Sequence, residues 1–226
     1  MYTEFFHKEI LLAMYTGGGC TFLAPFLDYG DIFPGAPLGP IGFKWIPSDS
    51  GEVDFKGLSQ AMTDFIVGET KGQKFDRIVA IGEEGNHLAN WYADSGPIDS
   101  RYQIWNKEAK RTSAEILPRE SILILEGTCW DGSNLLQASS YVRGKGAEPY
   151  CLTILNPNMG ARELLEGTFK AIFTLYWIIN KLREWGRIND EYYKQVEKWI
   201  VDMRKYFKAP PDTFVVPYDK ELAVVK

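Results

Sequence analysis

The 226-residue chain is poor in the residues that build metal cages and covalent frameworks, with three cysteines and two histidines. Cys20, Cys129 and Cys151 are too scattered for a disulfide framework or a zinc site, and His7 and His87 cannot complete a Cys/His cage. A basic excess is also missing. Lysine and arginine number 25 against 30 acids, a net charge of −5, which leaves no footprint for nucleic-acid phosphates. No apolar run is long enough to span a bilayer. The longest near the C-terminus, AIFTLYWIIN at 171–180, falls well short of the roughly 20 residues a spanning helix needs. Residues 1–19, MYTEFFHKEILLAMYTGGG, carry acids beside a short apolar run and do not read as a signal peptide. The expectation is a soluble protein of the reducing cytoplasm, with no nucleic-acid or membrane partner.

What is present suits one globular domain with a sizeable core: 45% hydrophobic residues and 24% charged. Residues 4–15 read as an amphipathic helix stopped by Gly17-Gly18-Gly19. Residues 25–51 are rich in Pro and Gly but also in aromatics, which fits short strands or a hood-like loop better than a linker. Residues 53–67 have helical spacing in Leu58, Met62, Phe65 and Ile66. Strand-like runs at 75–82, 100–107, 121–126, 149–155 and 169–175 then alternate with helical patterns at 86–94 and 133–147. That alternation predicts a mostly parallel α/β sheet flanked by helices. A last helix spans 189–207, capped by Asn189 or Asp190, with an apolar stripe of Tyr193, Val196, Ile200 and Met203. The Lys/Arg/Glu-rich face over 181–208 reads as solvated, and 209–226 reads as an arm or tail.

The stretch SILILEGTCWDGSN (121–134) carries the chemistry. An apolar strand runs into Glu126, and a small-residue loop then leads to a helix. Ligands of such sheets bind beyond the carboxyl ends of the strands. Gly132 frees the backbone, and Ser133 and Asn134 stand where the next helix presents its amides to an anion. A glutamate there can accept hydrogen bonds from sugar hydroxyls or face a magnesium ion. These residue types point to a phosphorylated sugar. An ordinary βα turn with a solvated Glu126 is the competing reading.

The order of segments resembles the type I phosphoribosyltransferases. ILILEGTCWDGSNLLQASSYVRGKGAE (122–148) resembles their signature for phosphoribosyl diphosphate (PRPP). IWNKEAKR (104–111) and LYWIINKLREWGRINDEYYKQVEKWI (175–200) resemble the catalytic-loop stretch and C-terminal region of orotate phosphoribosyltransferase. FDRIVAIGEEGNHLA (75–89) sits where that family keeps its pyrophosphate loop, and DIFPGAPLGPIGFKW (31–45) where its hood begins. The resemblance implies a single domain over 1–208, with a hood at 20–52, a core at 53–175 and C-terminal helices at 175–208. It implies transfer of phosphoribosyl from PRPP, with Mg2+, to orotate or another base in nucleotide biosynthesis or salvage, by a homodimer. Glu126 would hold the ribose hydroxyls. Lys107 and Lys110 would meet pyrophosphate, the second lysine often in a neighbouring subunit. Glu83, Glu84 and Gly85 fall in the pyrophosphate loop, and Thr128, Asp131, Gly132, Ser133 and Asn134 in the phosphate loop.

Departures accompany the likeness. The second acid of the signature is Gly127, and the Thr-Thr of the phosphate loop is Trp130-Asp131. An indole would crowd that loop and a carboxylate would repel a phosphate. Asn106 replaces the family's arginine, Thr112 its histidine, and Lys44 is the nearest candidate for its orotate-binding lysine. The segment 110–121 is short and lacks glycine, so closure over PRPP is harder. A non-catalytic member that binds PRPP or a nucleotide as a regulator, or an interaction role in which Trp45, Trp91, Trp105 and Trp130 pack an interface, is the alternative. His87 reads as a helix-start surface residue, His7 as exposed, and Cys129 as a small buried residue.

Overall fold

The computed structural model describes residues 20–21, 34–39, 42–43, 63–64, 66–95, 102–157, 159, 161 and 169–208. The helix expected over 4–15, most of the hood segment, Lys44, Trp45, His7 and the tail at 209–226 lie outside them. Of the helix expected over 53–67, residues 63–64 and 66–67 are helical and the remainder lies outside the described residues.

A small antiparallel ladder joins β1 (Cys20–Thr21) to β2 (Gly42–Phe43). The main sheet has six strands: β3 (Arg77–Ile81), β4 (Tyr102–Asn106), β5 (Arg111–Thr112), β6 (Ser121–Thr128), β7 (Glu148–Asn156) and β8 (Phe169–Thr174). Their order is β5-β4-β3-β6-β7-β8, parallel throughout except for the antiparallel β4–β5 edge. The helices are α1 (Gly82–Ser95), α2 (Ser133–Gly144), α3 (Leu175–Glu184) and α4 (Asp190–Tyr206).

The unbroken apolar run of β6 follows from its place between β3 and β7, where both faces are covered. Ile122, Leu123, Ile124 and Leu125 are all fully buried. Leu123 and Leu125 join a cluster with Leu88, Ala89 and Tyr92 of α1 and with residues of α3 and α4. Ile122 and Ile124 point the other way, into a cluster with Leu135, Ala138 and Val142 of α2. Each such side chain contributes about 1.5–3 kcal/mol of burial. The period of two along the strand sorts the helices onto the two faces.

The chain leaves β3 for β4 on one side and leaves β6 for β7 on the other. The strand order therefore reverses between β3 and β6, and the crevice beyond their carboxyl ends is where such sheets bind ligands. Both caps of the C-terminal helices come from side chains. Thr174 Oγ1 accepts from the Trp177 amide at 3.3 Å, and Asn189 Oδ1 from the Tyr192 amide at 2.8 Å. Asn189, not Asp190, is thus the cap of α4.

Two expectations are corrected. The helix expected at 86–94 starts a turn earlier, so Glu83, Glu84 and Gly85 form the first turn of α1 and not a loop. Acids at a helix N-terminus meet the positive end of the backbone dipole, which favours winding there. Residues 110–121 are not a free loop either. Arg111 and Thr112 pair with Asn106 and Trp105, and Ile116 is buried in the α2-side cluster.

Candidate functional site

The site grows from the last turn of β6. Glu126 follows four buried apolar residues and stays inside with them, 7% exposed. Its Oε1 accepts a hydrogen bond from Asn134 Nδ2 at 3.0 Å. Its Oε2 is buried without a hydrogen-bond partner, and so is Asn134 Oδ1. Burial pushes the Glu126 carboxyl up to about 7; the Asn134 amide and the neighbouring Cys129 thiol oppose that rise, while Asp131 and Glu84 add to it through like charge. Cys129 is itself fully buried, and burial raises its thiol well above the ordinary range, so it stays protonated.

Gly132 turns the chain into α2 with φ of +83°, a conformation that side chains resist, and a β-carbon there would lie 2.9 Å from Ala161 Cα. Asp131 is held against the helix start. Its Oδ1 accepts from the Ser133 amide at 3.1 Å and from Ser133 Oγ at 2.8 Å. Trp130, expected to crowd the loop, lines the cleft and also packs on the C-terminal helix. Its ring meets Trp199 edge-on at 6.3 Å and stacks on Phe207 at 6.4 Å between centroids, both at the far end of the chain. Trp105, buried at 4% exposure, meets Tyr141 edge-on at 5.6 Å. Trp91 packs on the main core. Trp105 is thus a core residue, while Trp91 and Trp130 are half-buried.

The loop opens on a cleft of about 630 Å³. Glu126, Thr128 and residues 130–134 form one wall, Lys107 from the β4–β5 hairpin another, and Tyr206, Phe207 and Lys208 a third. Seven sequence-predicted site residues thus share one cavity: Lys107, Glu126, Thr128, Asp131, Gly132, Ser133 and Asn134. Lys110 is elsewhere, exposed on the hairpin turn with φ of +49°. That turn is fixed by Asn106 Oδ1, which accepts from the Ala109 amide at 2.7 Å. Glu83 is exposed at the start of α1. Gly85 lets α1 approach β6, since a β-carbon there would sit 2.5 Å from the Leu125 carbonyl oxygen. Glu84 lies over Gly127, within 3.4 Å of Thr128 Oγ1. His87 lies within α1, its ring 6.4 Å from that of Trp91.

Sequence reasoning misses the third wall. The run at 204–208, RKYFK, reads as part of the solvated face of the last helix. Its aromatics, which a solvated face has no need of, are the available signal. Among the described residues, no cluster of three or more His, Cys, Asp or Glu could hold a metal ion, and no helix is long and apolar enough to cross a membrane.

Neither a family model nor a curated protein sequence matches the chain. Solved structures do. It is similar to UMP synthase of Leishmania donovani, with a TM-score of 0.66 and 17% identity over 85% of this chain. The chain spans 42% of the length of that protein. Orotate phosphoribosyltransferase of Francisella tularensis is similar over 84% of this chain and 96% of its own, with a TM-score of 0.60 and 11% identity. The orotate phosphoribosyltransferase of Mycobacterium tuberculosis H37Rv, crystallised with Fe(III) dicitrate, is similar over 76% of this chain and 97% of its own, with a TM-score of 0.59 and 13% identity. The chain has the type I phosphoribosyltransferase fold.

Proposed function

We propose that the chain binds PRPP in the β6–α2 cleft and transfers its phosphoribosyl group to a nucleobase, releasing pyrophosphate. The observation that carries this reading is the cleft itself. It combines a buried acceptor carboxylate, a helix start and two lysines at the point where the strand order reverses. Glu126 would accept hydrogen bonds from ring hydroxyls of the pentose. The start of α2, with Thr128, Ser133 and Asn134, would hold the 5′-phosphate, and Lys208 would add a cation that the residues at 126–134 lack. Lys107 would neutralise the pyrophosphate as the C–O bond to the anomeric carbon breaks and the base nitrogen bonds to that carbon. Magnesium would arrive as the counter-ion of PRPP. Lys110, exposed outside this cleft, would serve the cleft of a second copy in a homodimer.

Orotate is the base to test first, because two of the similar structures are orotate phosphoribosyltransferases. The purified protein would be given PRPP, Mg2+ and, separately, orotate, uracil, hypoxanthine, guanine, adenine or xanthine. Pyrophosphate release with one base, abolished in Lys107→Ala, is expected. A protein that binds PRPP in calorimetry but releases no pyrophosphate with any base would not be a transferase.

One observation favours that second, non-catalytic reading. The Asp131 carboxylate already takes the amide and hydroxyl of Ser133 at the start of α2, so a phosphate must compete with an anion built into the chain. Removing its charge with Asp131→Asn is expected to tighten PRPP binding about tenfold, a gain of roughly 1.4 kcal/mol. Unchanged affinity would mean that the phosphate does not bind at this helix start.

A further inference from the structure

The stretch GTCWDG at 127–132 holds one large residue, Trp130. Binding a phosphate calls for no indole there; it calls for amides held toward one point. The bonds made close to the loop do this only in part. The Cys129 amide donates to the Leu155 carbonyl at 2.9 Å, which pins the start of the loop, and the Asp131 carboxylate stays on Ser133. Gly132, between Asp131 and Ser133, is a permissive joint with φ of +83°. Such a joint at a helix start leaves the amides free to swing unless a contact from outside the loop fixes their direction.

Trp130 makes that contact with an element far along the chain. Its indole meets Trp199 of α4 edge-on at 6.3 Å and stacks on Phe207, just past the end of α4, at 6.4 Å. Trp199 is itself held from two directions. It is buried in the main core, and its Nε1–H donates to the Pro37 carbonyl at 3.2 Å. Tyr206 meets Phe207 edge-on at 5.1 Å, and its hydroxyl donates to the Pro34 carbonyl at 3.1 Å. One aromatic block at the end of α4 thus grips two separate segments, 34–37 and the phosphate loop. Trp130 and Phe207 line the cleft, whereas Trp199 stands behind them and does not.

We infer that Trp199 is a positioning residue for the phosphate loop, acting through Trp130. From α4 it sets the direction in which the start of α2 presents its amides, and with it the affinity for the phosphate of the ligand. The role rests on the phosphoribosyl reading of the cleft. It also gives the tryptophan at 130 a purpose: the loop is steadied by packing on a distant helix.

Ribose 5-phosphate, titrated calorimetrically into the full chain, tests this without requiring turnover. Trp130→Ala is expected to weaken binding about tenfold, and Trp199→Leu nearly as much although it lies outside the cleft. The two losses should not add. The double variant should bind within about twofold of Trp130→Ala, because its second substitution removes a contact already gone. Trp199→Phe keeps an aromatic edge for Trp130 and should stay within about threefold of wild type. Thermal melts would confirm that each variant is folded. Hydrogen exchange in Trp130→Ala, a half-buried site, gives a reading that does not depend on Trp199→Leu folding. The amides of 130–134 should exchange at least roughly tenfold faster than in wild type, with those of β6 unchanged. Additive losses in the double variant, wild-type affinity in Trp199→Leu, or unchanged exchange at 130–134 would make Trp199 an ordinary core residue. Each would overturn the inference and leave the phosphoribosyl reading standing. A wild-type chain that binds neither PRPP nor ribose 5-phosphate would end both.

Discussion

The two ends of strand β6 are built on opposite terms. At its start two carboxylates, Asp76 and Glu120, are met by donors. Asp76 Oδ2 accepts from the Ser121 amide at 2.8 Å, and the Asp76 amide returns a bond to the Ser121 carbonyl at 2.8 Å. Glu120 takes Arg77 Nε at 2.7 Å on one oxygen and the Leu117 amide at 2.8 Å on the other. At the strand's other end, Glu126 has one oxygen bonded and one orphaned, with Glu84 and Asp131 as like-charged neighbours. The satisfied end is scaffold, where polar groups meet their partners on folding. The unsatisfied end gives up stability to keep acceptors available, as sites that must wait for a ligand do.

The comparison is broken most severely by pushing the two ends' supports apart. Gly85→Ala places a methyl 2.5 Å from the Leu125 carbonyl oxygen. That contact is with backbone, so α1 must shift from β6. A loss of about 3 kcal/mol is expected, the upper part of the range for over-packing, measured by urea unfolding. A loss under about 0.5 kcal/mol would mean that α1 does not press on β6.

Next is Glu126→Gln, which removes the charge and keeps the shape. The folded-state carboxyl titrates near 7 and the unfolded one near 4.5. Between those values the folded chain holds a proton that the unfolded chain has lost. Wild-type stability therefore falls as pH rises from about 4.5 to about 7 and is level above that. Glu126→Gln lacks this fall. It is expected to match the wild type near pH 4 and exceed it by about 3 kcal/mol at pH 8, while losing ribose 5-phosphate binding. Parallel pH–stability curves for the two proteins would show that the carboxyl is not held buried and partly orphaned.

These contrasts also mark what the sequence can reveal. The strand, the glycine turn and the helix of 121–144 are legible because a buried parallel strand reads as a continuous apolar run and its turn needs small residues. Glu126 and the phosphate-loop residues follow from their place at the strand's end. The start of α1 is easily misread because Gly-Glu-Glu-Gly looks like a loop, although its acids favour a helix start and Gly85 answers to a strand far along the chain. Trp130 reads as an obstruction for the same reason. Its partners, Trp199 and Phe207, are distant in the chain, and no local pattern reports them. The covering of Gly127 by Glu84 is equally invisible, since it joins residues of different elements.

At the satisfied end a smaller effect is expected. Glu120→Gln weakens the pair with Arg77 but keeps an acceptor for the Leu117 amide. Both partners are partly exposed, with side-chain exposures of 27% for Arg77 and 15% for Glu120, so the loss should be about 1 kcal/mol or less. Ribose 5-phosphate affinity should stay within twofold. A large loss of affinity here would show that the two ends are not independent.

The smallest effect sharpens the comparison at the cleft. Lys208 reaches it from just beyond α4, with φ of +53° and an exposed side chain. A cation in that setting acts on a phosphate through water, at roughly 1 kcal/mol or less, and is screened by salt. Lys208→Ala should therefore weaken PRPP binding about threefold at low ionic strength, with the difference fading toward 1 M salt. Stability should be unaltered, because the aromatic contacts of Trp130 run through Phe207 and Trp199. A salt-independent loss would instead mean that the substitution had displaced Phe207, and with it the Trp130 stack. In that case the C-terminal wall holds the loop by packing alone, and the cation that the phosphate meets must be Lys107.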